Sequence, residues 1–137
     1  MHSDPSKACP FCRSEQLEVL CEWPLVFALL DRYPVSEGHA LLITKRHVPT
    51  WFDASPEEQR ALIDAVDPLR RVIEQRLARP PDGWNVGFNA GEAAGQTVPH
   101  LHVHLIPRRH GDVPDPRGGV RGVIPERRGY VPIEDGT

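Results

Sequence analysis

The chain has 137 residues, of which 39% are hydrophobic and 26% charged, with a formal net charge of −3. That length suits one domain with a real core, and the mildly acidic balance excludes a protein that gathers nucleic acid through a global basic field. No apolar run approaches the roughly 18 residues of a membrane span. Residues 1–7 lack the apolar stretch of a signal peptide, so a cytoplasmic location is expected. Three cysteines, an odd number, fit reduced thiols better than a disulfide framework.

In chain order, Cys9-Pro10-Phe11-Cys12 comes first, a compact two-thiolate knuckle. Its spacing is that of zinc sites, but a second such pair is missing, so the remaining ligands must come from elsewhere. His39, His47 and the later histidines are candidates. A redox pair is the competing reading, but no strand-helix-strand pattern of the thioredoxin type surrounds the knuckle. Cys21 has no partner at metal spacing and reads as a core residue.

Residues 17–21 predict a short strand, and the apolar run at residues 25–30 a buried one. Residues 31–38 carry turn chemistry, and residues 39–44 return as the second arm of a hairpin-like unit. Ser55 as N-cap, Pro56 at the first helical position and Glu58 three residues on make a strong helix start. Leu62, Val66, Leu69 and Ile73, with Ile63, Val72 and Leu77, continue it as an apolar stripe of helical period. Pro80-Pro81-Asp82-Gly83 ends it. Residues 84–89 alternate as a further strand, and residues 91–99 form a glycine-containing loop. One α+β domain with an antiparallel sheet and one long helix is the simplest layering.

That loop leads into the most informative run in the chain, His100-Leu101-His102-Val103-His104-Leu105-Ile106. Period-two alternation is strand geometry, so the imidazoles share one face, roughly 6.6–6.8 Å apart along the strand. Neutral imidazole is abundant at pH 7 and carries an exposed lone pair, so it attacks phosphorus well. A second histidine can protonate the leaving group. Gly91 and Gly95 permit close approach of backbone to a ligand. Gln96 and Thr97 offer amide donors, and Thr97 a hydroxyl, suited to a phosphate oxygen. From Arg108 onward Arg, Gly, Pro and Asp dominate without a sustained period. Residues 111–137 therefore read as an extended or irregular tail, either draped on a neighbouring subunit or disordered. Arg108, Arg109, Arg117 and Arg121 are either contacts for a polyphosphate or simply solvated.

These features together resemble the histidine triad family. The pattern of three histidines alternating with apolar residues is matched in full. Gly95-Gln96-Thr97-Val98 and the earlier segment from Phe27 to His39 match as well, so that the similarity covers roughly residues 9–110. The resemblance implies an α+β fold with a five-stranded antiparallel sheet, a homodimer, and a domain spanning residues 1–110. It implies His102 as the nucleophile that becomes nucleotidylated and His104 as the contact to phosphate or leaving group. Asn89, Gly95, Gln96 and Thr97 would hold the phosphate, Asp31 the ribose hydroxyls, and Phe27 and Leu29 would border the base. Zinc-carrying members imply Cys9, Cys12, His47 and His100 as ligands of a structural zinc. His39 resembles the family's further support histidine, behind the reacting residues or in the core. A histidine rather than a glutamine at position 104 favours hydrolysis over transfer. The expected partner is a nucleotide substrate such as a diadenosine polyphosphate or an AMP conjugate, with no nucleic acid and no membrane. A nucleotide-binding regulatory module, a nucleotidyltransferase, and a catalytic zinc on the triad are the competing readings.

Overall fold

The computed structural model describes residues 9–13 and 17–130. Strand β1 is Cys21–Glu22, β2 Val26–Leu30, β3 Ala40–Thr44, β4 Gly83–Gly87 and β5 His102–Arg108. They form one antiparallel sheet in the order β1-β2-β3-β5-β4. The single long helix, α1, is Pro56–Arg76.

Alternation gives the sheet two unlike faces. Val26, Ala28, Ala40, Leu42, Leu101, Val103 and Leu105 point to one side and bury against Leu62, Ala65, Leu69 and Ile73 of α1. The opposite face carries Phe27, Leu29, Leu41 and Ile43, against which Phe11 and Leu17 pack. His102 and His104 belong to this second face, because His102 pairs with Ile43 and His104 with Leu41.

The helix begins as its sequence dictates. The Ser55 hydroxyl accepts the Glu58 amide and the Glu58 carboxylate accepts the Ser55 amide, a complete capping box. Glu58 is buried and also receives two hydrogen bonds from the Arg46 guanidinium, at 3.1 and 2.7 Å. These bonds hold its carboxyl below the usual range against the opposing effect of burial. The buried stripe differs from the expected one at two positions. Ala65 takes an inward place, whereas Ile63 is 60% exposed. A spacing of three, four and four from Leu62 through Ala65 and Leu69 to Ile73 keeps to one face, and Ile63 falls about 100° off it. Pro68 sits inside the helix on its exposed side, where the carbonyl left without an amide donor faces water.

The 31–39 turn packs on the end of this helix. Gly38 adopts φ +93°, and a Cβ there would stand 3.0 Å from Ile73 and 3.3 Å from Leu77. Only glycine meets both demands. Ser36 Oγ donates to the Pro107 carbonyl at 2.8 Å, which ties the turn to the far end of β5.

Two strand expectations shift. Residues 17–21 contribute only Cys21 to a ladder, since Leu17 instead packs on the histidine face. His100 and Leu101 precede the β5 ladder, because the Leu101 amide donates to Val48 rather than to a strand. The tail is irregular but internally tied. It forms two 3-10 segments, Gly119–Val123 and Pro125–Arg127, and Arg121 donates to the carbonyls of Arg127, Arg128 and Gly129. The expected tail beyond residue 130 lies outside the described residues. Among the described residues no helix is long and apolar enough to cross a membrane.

Candidate active site and metal centre

The three histidines of the run occupy three different environments. His100 is fully buried. Its Nε2–H donates to the Thr44 carbonyl at 2.7 Å, which leaves the Nδ1 lone pair directed at Cys9 Sγ (3.2 Å) and Cys12 Sγ (3.5 Å). His47 Nδ1 lies 3.1 Å from Cys12 Sγ. One ligand atom from each of Cys9, Cys12, His47 and His100 falls within 4.8 Å of all the others. A tetrahedral zinc with ordinary Zn–S and Zn–N bonds has sulfur-to-nitrogen edges of about 3.5 Å, so these separations fit such an ion. Burial, reinforced by the neighbouring histidines, lowers the His100 pKa to about 4 against the effect of the Thr44 bond. A neutral ring with one nitrogen anchored to a backbone carbonyl is the form a metal ligand takes. The four residues could thus hold a metal ion and are compatible with zinc.

His102 is set differently. Its Nδ1 lies 2.7 Å from the His100 carbonyl. A carbonyl only accepts, so Nδ1 carries the proton and Nε2 keeps its lone pair. His102 lines a cavity of about 1070 Å³ on the histidine face of the sheet.

His104 has the opposite tautomer, and the cause is two residues away. The Val35 amide donates to His39 Nδ1 at 3.1 Å. A neutral His39 therefore carries its proton on Nε2, which lies 3.0 Å from His104 Nδ1 and 3.4 Å from Asp31 Oδ2. His104 Nδ1 accepts, so its Nε2 is the protonated nitrogen. Burial, with the charges of His102 and His39, lowers the His104 pKa to about 4, while Asp31 opposes the shift. Burial lowers that of His39 as well, again opposed by Asp31. The face thus presents an imidazole lone pair on His102 beside an imidazole N–H on His104, their ring centroids 5.1 Å apart. Asp31, His39 and His104 also cluster closely enough to suit a metal, but a donating Nε2–H on His39 is not a ligand atom. The hydrogen-bond chain accounts for this trio instead.

The loop before β5 closes the cavity on the His102 side. Asn89, Gly95 and Thr97 line it. Gly95 adopts φ +96°, which only glycine takes readily. Gln96 is not a cavity residue. Its amide donates to the Gly91 carbonyl, its Oε1 accepts the Gly91 amide, and its Nε2 donates to Pro49 and Val98. It braces the loop from within. Phe27 is also absent from the lining, where Leu29 and Leu41 stand instead. Phe27 pairs with Ile43, one step nearer the knuckle, and is buried in the cluster that Phe11 and Leu17 pack against.

None of the four tail arginines faces the cavity. Asp112 and Asn85 hold Arg108, and the Pro80 and Arg79 carbonyls hold Arg109. Arg117 pairs with Asp115, and Arg121 bonds to carbonyls and lies over Tyr130. The arginines that do line the cavity are Arg13, Arg32 and Arg76. They are far apart in sequence and stand in no motif, so sequence reading had no signal for them beyond their charge.

The HIT domain family profile matches residues 13–111. The chain belongs to the HIT domain family. Within that family it is 38% identical over 95 residues to a bis(5'-nucleosyl)-tetraphosphatase (asymmetrical) of Schizosaccharomyces pombe, covering 69% of this chain and 51% of that protein. It is 37% identical over 117 residues to an AP-4-A phosphorylase of Mycobacterium tuberculosis, covering 81% and 59%. The chain thus spans little more than half the length of these curated relatives. A crystal structure of a HIT family protein from Bacillus anthracis superposes with a TM-score of 0.70 at 36% identity, over 77% of this chain and 76% of that one. The five-stranded antiparallel sheet with one long helix is the HIT fold.

Proposed function

We propose that this HIT domain hydrolyses nucleotides at the α-phosphorus, cleaving dinucleoside polyphosphates or nucleoside phosphoramidates through a covalent histidyl-nucleotide. The carrying observation is the pair of opposed tautomers on one sheet face, a lone pair at His102 and an N–H at His104. In the first step His102 Nε2 attacks the α-phosphorus. A P–N bond forms and the bond to the leaving group breaks. A polyphosphate departs as its anion, a departing amine takes its proton from solvent, and the neutral His104 keeps its Nε2–H while hydrogen-bonding the departing atom. The His102 ring becomes cationic, and the His100 carbonyl on its Nδ1–H favours that charge. Water then attacks phosphorus and breaks the P–N bond, releasing a nucleoside monophosphate.

Asn89 and the Thr97 hydroxyl and amide contact the phosphate, with Gly95 allowing its close approach. Asp31 accepts from the ribose hydroxyls, and Leu29 and Leu41 wall the base. Gln96 acts by holding the loop. Zinc, when bound by Cys9, Cys12, His47 and His100, supplies a structural crosslink rather than a reacting group. The chain acts as a homodimer in the cytoplasm. The paired arrangement is supported by the open edge of β4, where Val86 is 43% exposed, and by Phe52, 77% exposed against Phe88.

His102→Ala tests the reading. It removes nucleoside monophosphate release from diadenosine tetraphosphate while nucleotide binding survives, and undiminished turnover would overturn the proposal. The likeness to a protein named AP-4-A phosphorylase favours a second reading, in which inorganic phosphate replaces water in the second step. Product analysis separates the two: hydrolysis gives AMP in the presence of phosphate, whereas phosphorolysis gives ADP.

A further inference from the structure

Two arginines in the cavity have no assigned role. Arg32 follows Asp31 on the turn, and Arg76 is the last residue of α1. Gly38 packs between Ile73, Leu77 and Pro107, so the turn and the helix end stand together at one end of the cavity. Neither guanidinium has a hydrogen bond or ion pair among the described residues.

The order of groups along the sheet face fixes what can reach them. The loop carrying Thr97 and the reacting His102 lie at one end. His104, His39 and Asp31 follow in contact order, at 3.0 and 3.4 Å, and Arg32, the next residue of the chain, lines the same cavity. A nucleotide with its phosphorus at His102 and its ribose at Asp31 therefore extends its base toward Arg32 and Arg76. The leaving group takes another direction. In-line attack by a sheet-borne imidazole drives it away from the sheet rather than along it. The phosphates of a polyphosphate leaving group are thus not the natural occupants of this end. The apolar side chains Leu29 and Leu41 between them suit a base.

We infer that Arg32 and Arg76 read the edge of the base and select a 6-oxopurine, guanine or hypoxanthine, over adenine. The inference rests on the proposed placement of phosphate at His102 and ribose at Asp31. A guanidinium offers paired N–H donors and no acceptor. Guanine presents two acceptors side by side, O6 and N7, which match that fork. Adenine presents N7 beside an N6 amino donor, which opposes it. Apolar walls alone discriminate poorly between the two purines, so the arginines set the preference.

The test compares diguanosine and diadenosine tetraphosphate as substrates, and GMP and AMP as ligands measured by calorimetry, for the full chain and for Arg32→Met and Arg76→Met. The wild type favours guanine at least about fivefold in kcat/KM and in affinity, the lower bound for one well-formed bidentate pair. At least one variant brings both ratios toward one. A preference for adenine, or ratios that neither variant changes, overturns the inference. Equal loss on both nucleotides also overturns it and assigns the arginines to phosphate. If neither tetraphosphate is cleaved, the hydrolase reading fails, while the GMP-to-AMP affinity ratio still decides the base preference.

Discussion

His104 Nδ1 and His39 Nε2 lie 3.0 Å apart, and the Val35 amide on His39 Nδ1 decides which of the two donates. A backbone amide in a turn thereby sets the tautomer of an imidazole on β5. The consequence is an N–H on the His104 nitrogen that faces the cavity, where it can hydrogen-bond a departing group.

Replacing His39 tests that relay. In His39→Ala, His104 Nδ1 loses its donor and the ring redistributes between tautomers. We expect kcat to fall about 10²-fold, the lower end for loss of a donor that stabilises developing charge, with KM changed less than about threefold. His39→Gln keeps an amide donor in reach and recovers part of kcat. Equal losses in both variants, with matching losses of thermal stability, would reduce His39 to a packing residue.

Acid stability follows from the same burial. The His104 pKa is lowered to about 4 from an ordinary 6.5, first by burial. Between those values the unfolded chain binds more protons than the folded one, so stability falls as pH drops from 6.5 to 4 and is unaffected by this group above 6.5. His39 shifts in the same direction. Urea midpoints at pH 7, 5.5 and 4 for the wild type and His104→Gln check this. The wild type loses more stability over the interval than the variant does, and parallel curves would refute the assignment.

Metal removal has a separate signature. Elemental analysis is expected to give about one zinc per chain, as a four-ligand set implies. Cys12→Ser and His47→Ala lose the metal and lower Tm by several degrees, yet still form the His102 adduct. Turnover that returns in proportion to an added divalent ion would place the metal in the chemistry instead.

Much of this architecture was legible from local pattern. Alternation placed Leu101, Val103 and Leu105 on the helix side and the histidines on the other, and Ser55, Pro56 and Glu58 marked the start of α1. What pattern could not supply was tertiary. Gln96 sits in a motif that resembles a phosphate loop, yet its side chain braces that loop, because Gly91, Pro49 and Val98 are within its reach. Phe27 has the composition of a base-pocket residue but pairs one step too near the knuckle. The tail arginines looked free and find carboxylates and carbonyls nearby. Arg32 and Arg76 line one cavity, and only the tertiary seating of Gly38 on Ile73 and Leu77 brings the turn to the helix end.

The helix-to-sheet packing carries its own expectation. Leu69 is fully buried at the centre of the core, and Leu69→Ala is expected to cost about 2–5 kcal/mol. Ser55→Ala removes one half of the capping box and is expected to cost about 1 kcal/mol. Chemical denaturation of both variants checks the order, which a cost for Ser55→Ala equal to that of Leu69→Ala would contradict.

The central claim is that the Nε2 lone pair of His102 forms a bond to phosphorus. Intact-protein mass spectrometry after rapid mixing with a dinucleoside polyphosphate or a nucleoside phosphoramidate, quenched without acid, reads it directly. The account predicts a transient mass increase of one nucleotidyl group, mapped by peptide analysis to His102 and absent in His102→Ala. Turnover with no such adduct at any time, or an adduct that persists in His102→Ala, would contradict it.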